Sequence, residues 1–319
     1  MKQLLLTLFM CSTLLNYAQA NKLYRKAMRT SNLNERIELL SEVIKIEPKN
    51  LDAYFQRGIA KNDLGDFGGA IVDYSKVIVE QPDADTYYNR GNSRYSIQDF
   101  IGAKEDYAKA YMLDHSFIDA LYSLACVKLD LEEYNNAIKD FSEVIKVAPS
   151  QPKTYTLRAS AYSAIESYEN AAKDYTTAIL IEPNSINFYN RAAFLMSIKY
   201  YKEAQTDFTK SLRLNSNNAY AYFYRGTASL LLGAYQDAIS DFTKAISFDA
   251  TDFDAYLGLA LSYYKLNDLE KANTHFNRAN DILSIGKEIT NIQQYNNTYW
   301  FQHQYYYFNN NVVHLAKLQ

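Results

Sequence analysis

The chain has 319 residues but only 10 glycines and 5 prolines. So few breakers leave little room for a many-stranded fold and favour long helical runs with short turns. Cysteine is nearly missing, with Cys11 and Cys126 the two present. Loss of the first twenty residues, argued below, would leave one, so stability has to come from packing and not from an intrachain disulfide. After residue 15 no apolar run approaches the roughly 20 residues that a membrane-spanning helix needs. Neither sign of charge dominates: 33 Lys and Arg stand against 36 Asp and Glu, for a net charge of −3 and a pI near 5.9. Without a basic surplus there is no obvious phosphate-binding face, which argues against nucleic acid as a partner. The four histidines, His115, His275, His303 and His314, fall in no metal-ligand spacing. Phosphate loops and nucleophile elbows are missing too. The sequence therefore points to no metal, no cofactor and no enzyme.

The N-terminus reads as a targeting segment. Lys2 supplies a short positive start, Leu4 to Leu15 is largely apolar, and Ala18-Gln19-Ala20 is a small-x-small cleavage site. Residues 1–20 are thus expected to be a signal peptide cut between Ala20 and Asn21, with the protein secreted or periplasmic. Met10 before Cys11 does not suit lipidation, which favours a small residue there.

What the chain has in abundance is aromatic, 30 Tyr and 16 Phe, and it is periodic. Tyr54-Phe-Gln-Arg-Gly58 recurs as Tyr87-Tyr-Asn-Arg-Gly91, Phe188-Tyr-Asn-Arg-Ala192 and Tyr222-Phe-Tyr-Arg-Gly226. The small residues Gly58, Gly91, Ala125, Ala159, Ala192, Gly226 and Ala260 serve as anchors spaced 33 or 34 apart. Twelve residues after each anchor stands alanine, from Ala70 to Ala272, and sixteen after it an aromatic, from Tyr74 to Phe276. Large residues four before a small one share a helix face with it, so two helices can approach closely at each anchor. Turns are expected about seven residues past the anchors, where Gly65, Gly233 and Asn267 stand. A lone helical hairpin cannot bury such a face, so the units must stack.

Period, small anchor, alanine, following aromatic and the closing Pro82, Pro149 and Pro183 resemble the tetratricopeptide repeat family. The resemblance implies an all-α solenoid of helix-turn-helix tetratricopeptide repeats forming a right-handed superhelix. Seven repeats span 51–286. A degraded first repeat over 21–50 keeps Leu33, Leu40 and Val43 in phase, with Arg36 in place of the alanine. Residues 287–319 leave the pattern and form an aromatic-rich C-terminal cap or tail, expected as a helix through Ile289, Ile292, Tyr295 and Tyr299 that ends at Asn309-Asn310-Asn311.

Members of the family generally bind proteins or peptides in a concave groove, so the expected partner is a protein or peptide. The groove candidates are an aromatic stripe three residues before the anchors, Phe55, Tyr88, Tyr122, Tyr189 and Phe223, with Asn92 and Tyr95 beside it. With Tyr54 or Tyr222 serving the packing face, the stripe is surplus to the interior, and exposed aromatics mark binding surfaces. The competing reading buries the stripe between neighbouring first helices. An exported glycan-binding protein is the alternative function, because sugar rings also stack on aromatics. A second periodic feature is a charge ladder: Arg57, Arg90, Arg158, Arg191 and Arg225 precede anchors, and Asp73, Asp106, Asp140, Asp174, Asp207 and Asp241 follow fifteen later. Catalysis needs an acid once, so repetition argues for structural ion pairs. Asp52, Asp85, Asp119 and Asp254 read best as helix N-caps, the other reading being an acidic rim on the groove.

Overall fold

A computed structural model describes residues 17–283 and 291–317 of the chain. Among these residues there are helices and turns and no strand. The chain divides into two compact units, Met1–Pro149 and Ser150–Gln319. In the first, α1 (17–27) and α2 (Leu33–Ile46) are followed by the hairpins α3 (Leu51–Leu64) with α4 (Phe67–Glu80), α5 (Ala84–Ser96) with α6 (Phe100–Leu113), and α7 (Ile118–Asp130) with α8 (Tyr134–Val147). The second holds α9 (Pro152–Ala164) with α10 (Tyr168–Ile181), α11 (Ser185–Ser197) with α12 (Tyr201–Leu214), α13 (Ala219–Leu231) with α14 (Tyr235–Phe248), and α15 (Phe253–Lys265) with α16 (Leu269–Leu283). A 3₁₀ turn at Ile292–Tyr295 and the helices α17 (Tyr299–His303) and α18 (Tyr305–Ala316) close the chain. Residues 1–16 of the expected signal peptide, and Ile289 of the expected cap, lie outside the described residues.

The repeat phase read from the sequence is the phase of the helices. All seven anchors are buried at first-helix positions, and all seven alanines from Ala70 to Ala272 are fully buried in second helices. The aromatics sixteen past the anchors, Tyr74, Tyr107, Phe141, Tyr175, Phe208, Phe242 and Phe276, form the largest part of the interior. The glycine anchors have a steric cause: a Cβ on Gly58 would lie 2.7 Å from the Tyr74 ring, and one on Gly91 2.8 Å from Tyr107. In the degraded repeat Leu40 and Val43 are likewise buried, and Arg36 turns away to donate to the Thr30 carbonyl.

Each hairpin turns through one left-handed residue, and here the sequence was only partly legible. Gly65 and Gly233 have φ of 89° and 81°, and Asn267 62°, but Gln98, Glu132, Glu166 and Lys199 occupy the same register at 59° to 66°. Left-handed backbone costs such residues roughly 1–2 kcal/mol. The closing bond is the same every time: Asp66 N–H donates to Lys61 O, Asp99 to Arg94, Glu133 to Lys128 and Lys199's successor Tyr200 to Leu195. This six-to-one bond satisfies a helix-end carbonyl and holds the strained residue in place.

The N-caps differ from expectation. Asn50, Asp83 and Asp252 accept from the amides of Ala53, Thr86 and Ala255, and the cap of α7 is Phe117, with no side-chain bond. Asp52, Asp85, Asp119 and Asp254 stand two residues later, in the first turn, where a carboxylate complements the helix dipole but leaves its oxygens free for other donors.

The C-terminal segment also departs from the expected single helix. α18 runs straight through Asn309-Asn310-Asn311, because Asn311 is nearly buried and its amide donates to the Tyr307 carbonyl. Trp300, Tyr295, Phe308 and Leu315 are fully buried against α13 to α16. Asp254 holds the segment: both of its carboxylate oxygens accept from the Tyr299 N–H, at 2.9 and 3.1 Å, and its backbone carbonyl accepts the Trp300 indole N–H at 2.8 Å. Burial lifts the Asp254 carboxyl to about 7, against the opposing pull of the Tyr299 amide, and the charge of Asp252 adds to the rise.

Two expectations follow. Ala171→Leu should lower the urea midpoint, because overpacking a close contact costs about 1–3 kcal/mol. Asn170→Leu, one residue along and exposed, should not; equal midpoints would refute the phase. For Asp254 the sign follows from linkage. Its folded-state pKa is raised, so the fold holds a proton that the unfolded chain has released. Stability from this group is greatest below about pH 4 and falls as pH rises to about 7, on the order of 1.4 kcal/mol per pH unit. Asp254→Asn should flatten the fall of melting temperature across that window, and an unchanged slope would exclude the assignment.

Candidate binding face

The first helix of each repeat has three uses for its surface. At about 100° per residue, positions five before and two after the anchor point to one side. Every residue there is buried between neighbouring helices: Ala53 and Ala60, Thr86 and Ser93, Ala120 and Val127, Thr154 and Ala161, Asn187 and Phe194, Ala221 and Ala228, Ala255 and Ser262. No single residue type marks this pair in the sequence, because its members vary in polarity and, at Phe194, in size.

A second arc carries the ladder. Arg57 grips Asp73 with two parallel bonds of 2.9 and 2.7 Å, and Arg90 and Asp106, Arg158 and Asp174, Arg191 and Asp207, and Arg225 and Asp241 repeat the geometry. All five pairs lie within one repeat. The free guanidinium corner reaches back to a hydroxyl on the preceding second helix: Ser41 for Arg57, Ser75 for Arg90, Thr176 for Arg191 and Thr209 for Arg225. Each of these four arginines therefore ties its own hairpin and fastens it to the one before. Asp140, which has Leu124 where the arginine should be, pairs with Lys128, three past the anchor, where Lys61 and Arg94 supply second cations to Asp73 and Asp106. The bonds from Asp241 raise the Arg225 pKa, while burial raises that of Asp241. Tyr54, Tyr87, Tyr155 and Tyr222, expected to fill the interior, instead lie half-buried under these guanidinium groups at 5.5 to 5.7 Å. A hollow of 470 Å³ between α12 and α14 is walled by Thr209, Lys210, Arg213, Arg225 and Asp241, so it is the ladder seen from outside.

The third arc is about 120° wide and takes positions six, three and two before the anchor and one, four and five after it. The stripe lies here, and it is less free than expected. Its rings lean on the interior aromatic of their own repeat: Phe55 on Tyr74 at 5.9 Å, Tyr88 on Tyr107 at 5.8 Å, Tyr122 on Phe141 at 6.1 Å, Tyr189 on Phe208 at 5.7 Å and Phe223 on Phe242 at 5.8 Å. Phe55, Tyr88, Tyr122 and Tyr189 remain half-buried, each with one edge to the surface. Phe223 is only 7% exposed, under Tyr299 and Trp300, so it is a core residue of the second unit. The Asn92 side-chain oxygen accepts from the Tyr107 hydroxyl at 2.9 Å. Tyr95, 38% exposed, donates to Asp130 at 2.6 Å, and that bond with burial pushes the phenol up to about 12.

Thus Phe55, Tyr88, Asn92, Tyr95 and Tyr122 share one face of the first unit, while Tyr189 and Phe223 belong to the second. The first-unit face also carries what sequence reading assigned to caps, the exposed acids Asp52, Asp85 and Asp119, with Asp63 and Asp130. The five cations of α3, α5 and α7 all sit on the ladder arc, paired. The face offers rings, amides and carboxylates. Among the described residues no three His, Cys, Asp or Glu side chains are placed to hold a metal ion, and no helix is long and apolar enough to cross a membrane.

Family profiles described as tetratricopeptide repeats match residues 118–151, 152–185, 201–253 and 254–281. No curated protein matches the chain. Among solved structures, a tetratricopeptide repeat protein from Parabacteroides merdae is 19% identical over 77% of this chain and 99% of its own, with a TM-score of 0.59. The C-terminal part of a TPR repeat-containing protein from Cytophaga hutchinsonii is 17% identical over 75% of this chain and 98% of its own, at 0.60. The Cut9–Hcn1 hetero-tetramer of the APC/C matches 88% of this chain and 54% of its own at 16% identity and 0.53. With the repeat register, the ladder and the hairpin turns, these matches show tetratricopeptide repeats within residues 118–281 and give the described residues the fold of tetratricopeptide-repeat solenoids.

Proposed function

We propose that the chain is a non-catalytic scaffold that binds a protein or peptide segment on the open arc of its first helices, in the first unit. The observation that carries this is the division of each first helix into three arcs. Two are consumed by hairpin packing and by the ladder, and the third presents half-buried Phe55, Tyr88 and Tyr122 beside Asn92, Tyr95 and exposed acid groups. Aromatics with an edge in water and hydrogen-bonding groups alongside suit an extended or helical peptide. Cut9, similar in fold, is solved in assembly with Hcn1. Repetition of the chemistry along the face suits recognition of length, whereas a reaction would need one unique centre.

We further propose that the scaffold works outside the cytoplasm, in the periplasm or beyond the cell. Lys2, the apolar run Leu4 to Leu15 and Ala18-Gln19-Ala20 support this. Ala20 is buried within α1 against Leu40 and Val43, so cleavage there would have to precede folding. Mass spectrometry of protein made in its host is expected to find Asn21 as the first residue; an intact start or lipid on Cys11 would contradict it.

The binding reading is tested with two tyrosine and phenylalanine truncations. A photo-crosslinking amino acid placed at Tyr95 in the native cell should capture the partner. Tyr95→Ala should weaken binding of that partner by about 2 kcal/mol, as interface aromatics do, with little change in melting temperature. Phe223→Ala should instead destabilise by about 3–5 kcal/mol as a core residue. Loss of binding only in step with loss of folding, in both variants, would remove the support for this face.

A further inference from the structure

Three repeats, and only these among the seven regular ones, share a five-part pattern. An aromatic stands three before the anchor, arginine one before it, glycine at it, an aromatic sixteen after it, and aspartate in the first turn of the next first helix. The sets are Phe55, Arg57, Gly58, Tyr74 and Asp85; Tyr88, Arg90, Gly91, Tyr107 and Asp119; and Phe223, Arg225, Gly226, Phe242 and Asp254. Where the anchor is Ala125, Ala159 or Ala192, the acid's place is taken by Lys153, Ile186 or Tyr220.

The third set shows what the pattern does. The Trp300 ring lies 6.2 Å from Phe223 and 6.1 Å from Phe242, and the Tyr299 ring 5.0 Å from Phe223. Asp254 meanwhile accepts the Tyr299 backbone N–H on its carboxylate and the Trp300 indole N–H on its carbonyl. Two rings form the floor, one aspartate takes the donors, and an aromatic pair of the chain is clasped between them. The second set is covered as well, by the chain's own Phe117, whose ring lies 4.8 Å from Tyr88. In the first set the residue that corresponds to Phe117 is Asp83, which is engaged in capping α5. Phe55 keeps an edge at the surface and Asp85 is exposed.

We infer that Phe55, Tyr74 and Asp85 form a second clasp of the Asp254 type, and that it takes an aromatic segment of another protein, a Tyr or Trp pair that begins a helical turn and presents its backbone N–H groups. The inference rests on the binding reading above and deepens it. The floor is common to the stripe, with Phe55 and Tyr74 5.9 Å apart and Phe223 and Phe242 5.8 Å, and the exposed acid Asp85 beside an uncapped ring is what sets the first set apart. At the first set the anchor has to be glycine, since a Cβ on Gly58 would strike Tyr74. Asp52 does not fit the pattern, because Tyr24 precedes it where the glycine anchor would stand.

The probe is a labelled peptide of residues 297–308, blocked at both ends, titrated into the full chain and followed by fluorescence anisotropy. Saturable binding is expected, weakened at least tenfold by Asp85→Ala, by Phe55→Ala, or by replacing Trp300 of the peptide with alanine, and unchanged by Asp119→Ala. Asp85 is on the surface, so its variant should keep the parent melting temperature even if Phe55→Ala does not. Three outcomes overturn the assignment. These are no binding, binding indifferent to Asp85, and binding lost with Asp254→Ala instead, which would mean that the peptide only exchanges with the chain's own segment. Concentration-dependent dimers that disappear with Asp85→Ala would give the clasp to a second copy of the chain and likewise overturn it. Crosslinks from Tyr95 that form in the cell while the peptide fails to bind would leave the binding face standing and sink the clasp alone.

Discussion

Everything in this chain depends on how closely two helix axes approach at the anchor. A residue of hydrogen or methyl size there lets an aromatic from the second helix lie flat beneath the first. That contact fixes the hairpin, and the hairpin fixes which arcs of the first helix remain. Interiors at near-crystalline packing density do not tolerate an extra methylene at such a point. The period is therefore kept over seven repeats even where the surface residues change freely.

The ladder solves the problem that the anchor leaves. Close packing within a hairpin does not say how the next hairpin sits on it. The arginine supplies that information by spending two donors on the aspartate of its own repeat and a third on a hydroxyl of the repeat before. A buried carboxylate that lost its cation would be strongly destabilising, whereas a pair is close to neutral against an apolar substitute. The ladder is thus better understood as setting register than as adding stability. Lys128 shows how far the chemistry can drift: when Leu124 removed the arginine, a cation one turn along kept Asp140 paired, but without the bidentate grip.

Within the repeats the helix pairing, the phase, the buried alanines and the interior rings could be read from the sequence because each repeats with the packing that causes it. What could not be read has a common cause as well. Gln98, Glu132, Glu166 and Lys199 adopt left-handed backbone with no glycine to announce it, since the six-to-one bond enforces the turn whatever the side chain. Asp85 and Asp119 look like caps in one dimension because a cap and a first-turn acid differ by two residues, and only the helix start decides between them. Phe223 looked like a groove residue because its repeat is regular. The segment that covers it arrives from beyond residue 290, outside the period altogether.

This last point changes how the aromatic stripe should be understood. In the five repeats that carry a ring three before the anchor, that ring leans on the interior aromatic below. What distinguishes one repeat from another is the partner lying over that ring: Phe117 over Tyr88, Trp300 over Phe223. Within the chain an aromatic is laid on a stripe ring twice, and once the neighbouring acid accepts the N–H groups that come with it. What varies from repeat to repeat is less the stripe ring than the first-turn residue of the next first helix. The residue in that register is Asp85, Asp119 and Asp254 in the glycine-anchored repeats and Lys153, Ile186 and Tyr220 in the alanine-anchored ones.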